Sequence, residues 1–183
     1  MNSSGSFEVL PGLPGMGPVP EQFSASGQGM FREGFVVRFR TSADTWIGNF
    51  QRGLTGCDAV IDHPHRDRAI VVAGGQGYVI EIGTRRCEGT FGGQIEYIVA
   101  VPELDCIVFG NGLWFEGHCG GREWRTPRLS WDGMRGLELR GAVLQGESWR
   151  FDETWHPFTV NIESGEASGG SYEEPSDDGR QQQ

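Results

Sequence analysis

The chain reads as an all-β protein: an antiparallel meander of hairpins with blade-like repeats of about 40 residues, either a minimal propeller or a β-sandwich or barrel. Three observations predict this. Apolar and polar residues alternate with a period of two, not the roughly 3.6 of a helix, which marks strands with one dry and one wet face. Glycine accounts for 30 of 183 residues and clusters between short apolar runs, where its tolerance of positive φ suits tight turns. Two stretches of similar pattern lie close to 40 residues apart.

Taken in order, residues 1–30 are rich in Gly, Pro and Ser, carry no periodicity and read as a flexible arm. The body, 31–172, reads as a single all-β domain. In "GFVVRFR", Phe35, Val37 and Phe39 alternate with Val36, Arg38 and Arg40, and "VVRFR-TSAD-TWIGNF" makes a hairpin. "AIVVA-GGQ-GYVIEI" is a stronger one, because its glycines suit the primed turns that join antiparallel strands. "CIVF-GN-GLWFEG" offers a two-residue Gly-Asn turn. "GLELRG" alternates again, and "VLQGESWRF-DE-TWHPFTVNI" closes the series. "WDGMRGL" has room for one helical turn at most. Short connections make successive strands neighbours. The end, "EEPSDDGRQQQ" over 173–183, reads as a disordered acidic tail.

The repeat joins "HPHRDRAIVVAGGQGYVIEIG" to "VPELDCIVFGNGLWFEGH". Each has Pro, a charged loop, an apolar strand, a Gly turn and a second strand containing Glu. Pro64 and Pro102 are 38 apart, and Gly77 and Gly112 are 35 apart. A body of about 140 residues holds three to four such units, and the smallest usual propeller needs about four.

Net charge is −10, and all 15 basic residues are Arg. An acidic surface argues against nucleic acid, whose phosphates need a basic patch, and favours a basic protein partner. Without Lys there is neither Schiff-base chemistry nor a P-loop lysine. No apolar run is long enough to span a membrane, and "MNSSGSFEVLPGLPGMGPVP" does not have the form of a signal peptide. Cys57, Cys87, Cys106 and Cys119, spaced 30, 19 and 13 apart, therefore read as reduced, mostly buried thiols of a cytoplasmic protein.

Motifs for chemistry are sparse. "DHPHRD" places His63 and His65 at i and i+2. This H-x-H before a glycine-flanked hairpin is similar to the first motif of cupins, metal-binding β-barrels, and implies His63 and His65 as metal ligands of an enzyme or small-ligand binder. The pattern departs in two ways: Arg68, Ala69 and Ile70 stand where a ligand Glu is expected, and neither His118 nor His156 sits in the setting of the second cupin motif. The polar-turn reading is preferred, with no metal and no cofactor. Glu81 and Glu116 occupy equivalent repeat positions, a placement that suits either paired glycosidase carboxylates or ordinary outward strand residues. His118 and Cys119 are adjacent on a strand and point to opposite faces. No nucleophile elbow, zincin motif or dinucleotide loop occurs.

The densest interaction-like stretch is "EWRTPRLSWDGMRGLELRG". Trp124, Arg125, Arg128, Trp131, Asp132 and Arg135 combine the residue types that dominate binding hot spots; the structural alternative is that the rings are core and the Arg side chains pair with carboxylates. The phrases "WIGNFQRG", "VVAGGQGYVIEIG", "PRLSWDGMRGLELRG" and "WHPFTVNIESGEASGGSY" resemble a group of small bacterial all-β proteins with propeller-blade-like repeats. That resemblance implies no activity and no site residues. The functional expectation is thus a non-enzymatic interaction protein with an acidic surface, one version being an immunity-type protein for a basic partner. The alternatives are the cupin-like metal site and a structural subunit of a β-rich assembly, since an open edge strand invites pairing with another chain. Oligomeric state is not legible.

Overall fold

The alternating segments do form strands: sixteen among the described residues, in four sheets of four strands each. The computed structural model describes residues 7–27, 33–63 and 67–173. Among these there is no α-helix, and a 3₁₀ turn at Pro102–Leu104 is the one helical piece. No described helix is long and apolar enough to cross a membrane. Contacts divide the chain into two compact units, Met1–Ala100 and Val101–Gln183.

The first sheet begins inside the segment that reads as a flexible arm. β1 (Phe7–Leu10) and β2 (Glu21–Phe23) flank the hairpin of β3 (Phe35–Arg40) and β4 (Thr45–Phe50), in the order β1-β3-β4-β2. β1 pairs antiparallel with β3, and β2 pairs parallel with β4. Phe7 and Phe23 supply the apolar contact that holds these short strands. Phe23 stacks on Phe50 with centroids 4.8 Å apart.

The other three sheets are simple meanders. β5 (Ala59–Asp62), β6 (Arg68–Ala73), β7 (Gln76–Glu81) and β8 (Arg86–Gly92) form the second, in chain order. β6 and β7 are joined by two glycines alone: Ala73 faces Gln76, and Gly74 and Gly75 take φ of 53° and 84°. Those angles are the type I′ turn that matches strand twist. The third sheet comprises β9 (Tyr97–Val101), β10 (Cys106–Gly110), β11 (Phe115–Cys119) and β12 (Arg122–Arg125). The fourth comprises β13 (Met134–Arg140), β14 (Val143–Trp149), β15 (Trp155–Asn161) and β16 (Ala167–Gly169). The two halves of the sequence repeat are the middle hairpins, β6–β7 and β10–β11.

One expected turn differs. Gly110 pairs with Phe115, so β10 and β11 are joined by four residues rather than the two-residue Gly-Asn turn. The Asn111 side-chain oxygen accepts the Leu113 and Trp114 N–H groups at 3.0 and 3.1 Å. This Asx arrangement holds the longer loop. Its consequence for register is large, because every pair on the hairpin shifts with loop length.

A second repeated device appears only in three dimensions. Gly77 faces Phe91, Gly117 faces Trp124 and Gly146 faces Phe158, and in each pair the ring lies over the glycine where a Cβ would stand. An aromatic covering a strand glycine restores the packing the missing side chain forfeits. In unit 1 the core gathers Phe23, Phe35, Phe39, Trp46, Phe50, Tyr78 and Ile80, all at most 7% exposed. Trp46 donates its indole N–H to the Ile82 carbonyl at 3.1 Å, and the Tyr78 hydroxyl donates to the Gln51 carbonyl at 2.7 Å. Both polar handles are thus satisfied, as buried aromatics require.

Candidate binding surface

The six residues of the Trp/Arg-rich stretch fall into separate places within unit 2. Trp124 is structural: its indole N–H donates to the Ile162 carbonyl at 3.0 Å and its ring covers Gly117 and Gly165. Arg125 lies over the Trp114 ring, 4.0 Å from its centroid, with Glu116 at 3.6 Å. Arg135 lies 4.0 Å from the Trp155 centroid and donates to Glu147 at 2.8 Å. Guanidinium stacked on a ring and paired with a carboxylate rigidifies both partners.

Arg128, Trp131 and Asp132 remain together, on the loop between β12 and β13. Arg128 donates Nε–H to the Ser130 carbonyl at 2.8 Å and Nη2–H to the Trp131 carbonyl at 2.7 Å. Thus pinned, its guanidinium lies 4.6 Å from the Tyr172 centroid and 5.6 Å from that of Trp131. Trp131 and Tyr172 are 4.9 Å apart at 56°, and Phe151 meets Trp131 edge-on at 5.6 Å and 84°. Phe151 is 64% exposed. Arg150 lies 5.5 Å from the Phe151 ring, with Asp152 and Glu173 at 4.0 and 3.9 Å. Asp132 is exposed and has no ion-pair or hydrogen-bond partner among the described residues.

Three loops therefore converge on one aromatic surface, and sequence reasoning located only the first. Phe151 and Tyr172 come from the β14–β15 tip and the segment after β16. The only local signal for Phe151 is an aromatic next to a polar hairpin turn. The loops are fixed to each other through backbone: Trp131 N–H to the Trp149 carbonyl at 3.2 Å, Ser171 N–H to that of Leu129 at 2.8 Å, and Trp149 N–H to that of Gly133 at 3.0 Å. Ser130 and Ser171 add hydroxyl bonds to the Gly133 and Trp149 carbonyls. A surface assembled this way pays little ordering entropy when a partner arrives.

The cysteines depart from expectation. Cys106 and Cys119 are joined in a disulfide, and Cys57 and Cys87 are free. The four-residue β10–β11 loop sets these two residues directly opposite, with Cα atoms 4.0 Å apart; the expected two-residue turn would have placed Cys106 against Phe115. Burial first, then Asp58 and Glu96, push the Cys57 thiol up, which disfavours its thiolate form. His118 faces Glu123, with Nδ1 3.5 Å from Oε1, and meets Phe109 edge-on. Burial lowers its pKa against the opposing pull of Glu123 and Glu116, so it is neutral at pH 7.

His65 lies outside the described residues, and the His63–His65 alternative with it. Among the described residues no group of three or more His, Cys, Asp or Glu could hold a metal ion. Glu81 accepts from the Thr84 hydroxyl at 2.5 Å while Glu116 pairs with Arg125. A depression of about 410 Å³ in unit 1 is lined by Arg40, Thr41, Ser42, Asp67 and Glu81, and Arg40 there is engaged by Glu8. No protein-family model matches the chain, and no curated protein matches it.

Proposed function

We propose that the protein is a non-enzymatic binding protein whose contact face is the Trp131–Phe151–Tyr172 surface of unit 2, and whose partner is basic. The observation that carries this reading is the exposed Phe151 packed against half-buried Trp131, beside the Arg128-braced Tyr172. Trp, Tyr and Arg on a braced surface are the residue types at which binding energy concentrates. The net charge of −10 adds long-range attraction for a cationic partner. An immunity-type protein that neutralises a basic toxin is one such case.

Retention of proteins from cell extract on the immobilised full chain, washed at low and high salt, tests the reading. Wild type is expected to keep a basic protein at low salt that the Trp131→Ala and Phe151→Ala variants release. Retention of nothing basic at either salt, or equal retention by both variants, overturns it.

A further inference from the structure

We propose that this surface takes a proline-rich segment in the polyproline II conformation, flanked by arginine. The inference rests on the reading of the same face as the contact surface and names the chemistry of its partner.

Strand addition is closed here, because the backbone donors of Trp131, Ser171 and Tyr172 are already spent on the Trp149 and Leu129 carbonyls. What the surface offers instead is ring area. Trp131 meets Phe151 and Tyr172 at 84° and 56°, a ridged relief of rings whose most exposed member is Phe151. A polyproline II helix repeats every three residues, about 3.1 Å apart along its axis, and sets pyrrolidine rings on one side at little entropic cost. Aromatic relief of this kind is how such segments are bound.

A bare cation is a poorer occupant of the rings. Arg128 already lies over Trp131 and Tyr172, and Arg150 lies over Phe151, so guanidinium groups hold those quadrupoles. The charge of the partner falls on the rim. On the three segments that carry the rings, the exposed Asp132, Asp152, Glu153 and Glu173 outnumber Arg128 and Arg150, an excess of two negative charges. The Thr154 hydroxyl, hydrogen-bonded to Asp152, is the main cause holding that carboxyl below its ordinary range, so it is ionised at neutral pH. Rings in the middle and carboxylates at the edge match prolines followed or preceded by arginine.

The test is calorimetric titration of the full-length chain with three capped peptides: RPLPPLP, RGSGSGS with the same charge but no proline, and EPLPPLP with the charge reversed. The inference expects RPLPPLP to bind at least tenfold more tightly than either control, and at least tenfold more weakly to Phe151→Ala and to Trp131→Ala. Phe151 is exposed enough that its variant folds even if the Trp131 variant does not. Equal binding of RPLPPLP and RGSGSGS overturns the inference and leaves the contact surface standing as a cation site. Absence of RPLPPLP binding also overturns it. If extract retention is then also insensitive to Phe151→Ala, the functional reading falls with it.

Discussion

Trp46 of unit 1 and three tryptophans of unit 2 are partnered in different ways. In unit 1 Phe39 stacks on Trp46 at 4.4 Å and Phe50 meets Tyr78 at 5.3 Å, rings packed on rings, and all four are at most 2% exposed. In unit 2 Trp114, Trp131 and Trp155 each carry an arginine over the ring and remain only partly covered. Tryptophan thus serves cohesion at Trp46 and presentation at Trp114, Trp131 and Trp155, while Phe115 and Phe158 keep a buried ring pair in unit 2 as well. What decides between them is the neighbour. A second aromatic excludes water, whereas a guanidinium rigidifies a ring and keeps it at the boundary.

Deleting a core ring is the hardest test of that contrast. Phe39→Ala is expected to cost about 3–5 kcal/mol, read as a lowered midpoint in denaturant. A cost below about 1 kcal/mol would mean the unit 1 rings are not a core. Next in size is the Cys106→Ala/Cys119→Ala double variant. Opening a short disulfide loop costs about 2–4 kcal/mol, and intact wild-type protein should show two free thiols to a labelling reagent, not four. Gly117→Ala forces a methyl group into the Trp124 ring, with an expected loss of about 1–3 kcal/mol. Gly83→Ala has open space around it and serves as the control.

His118 supplies a smaller, pH-dependent difference. Its folded pKa lies below the unfolded value, so the unfolded chain binds the proton more readily as pH falls. Its contribution is complete above the unfolded pKa near 6.5 and is lost as pH drops from there toward the folded value. His118→Gln should flatten the denaturant midpoint against pH over that window, and an unchanged slope would refute the assignment. The smallest effect belongs to the boundary rings: Arg135→Ala should cost under about 1 kcal/mol.

Much of the fold was legible because strand alternation is local. Val37 and Phe39 against Arg38 and Arg40, or the two glycines between Ala73 and Gln76, need no distant partner to be read. β1 and β2 were hidden because three or four residues cannot display a period, and their Gly/Pro-rich flanks resemble a loose arm. The disulfide was hidden by one loop: only Asn111 capping a four-residue turn brings Cys119 opposite Cys106. Of the candidate surface, Arg128, Trp131 and Asp132 stood out by residue type. Phe151 and Tyr172 did not, since only the pairing of the fourth sheet brings their segments to Trp131.

The Ile162 carbonyl gives the oxidised pair a further meaning. Its oxygen receives the Trp124 indole N–H at 3.0 Å, while the sulfurs of Cys106 and Cys119 sit 3.2 and 3.0 Å away. An oxygen of this kind has two lone pairs. Were both thiols free, three hydrogens would compete for two places in a dry interior. Joining the sulfurs removes two of the three claimants, so the covalent link also resolves an over-subscribed acceptor and leaves the indole as its undisputed donor.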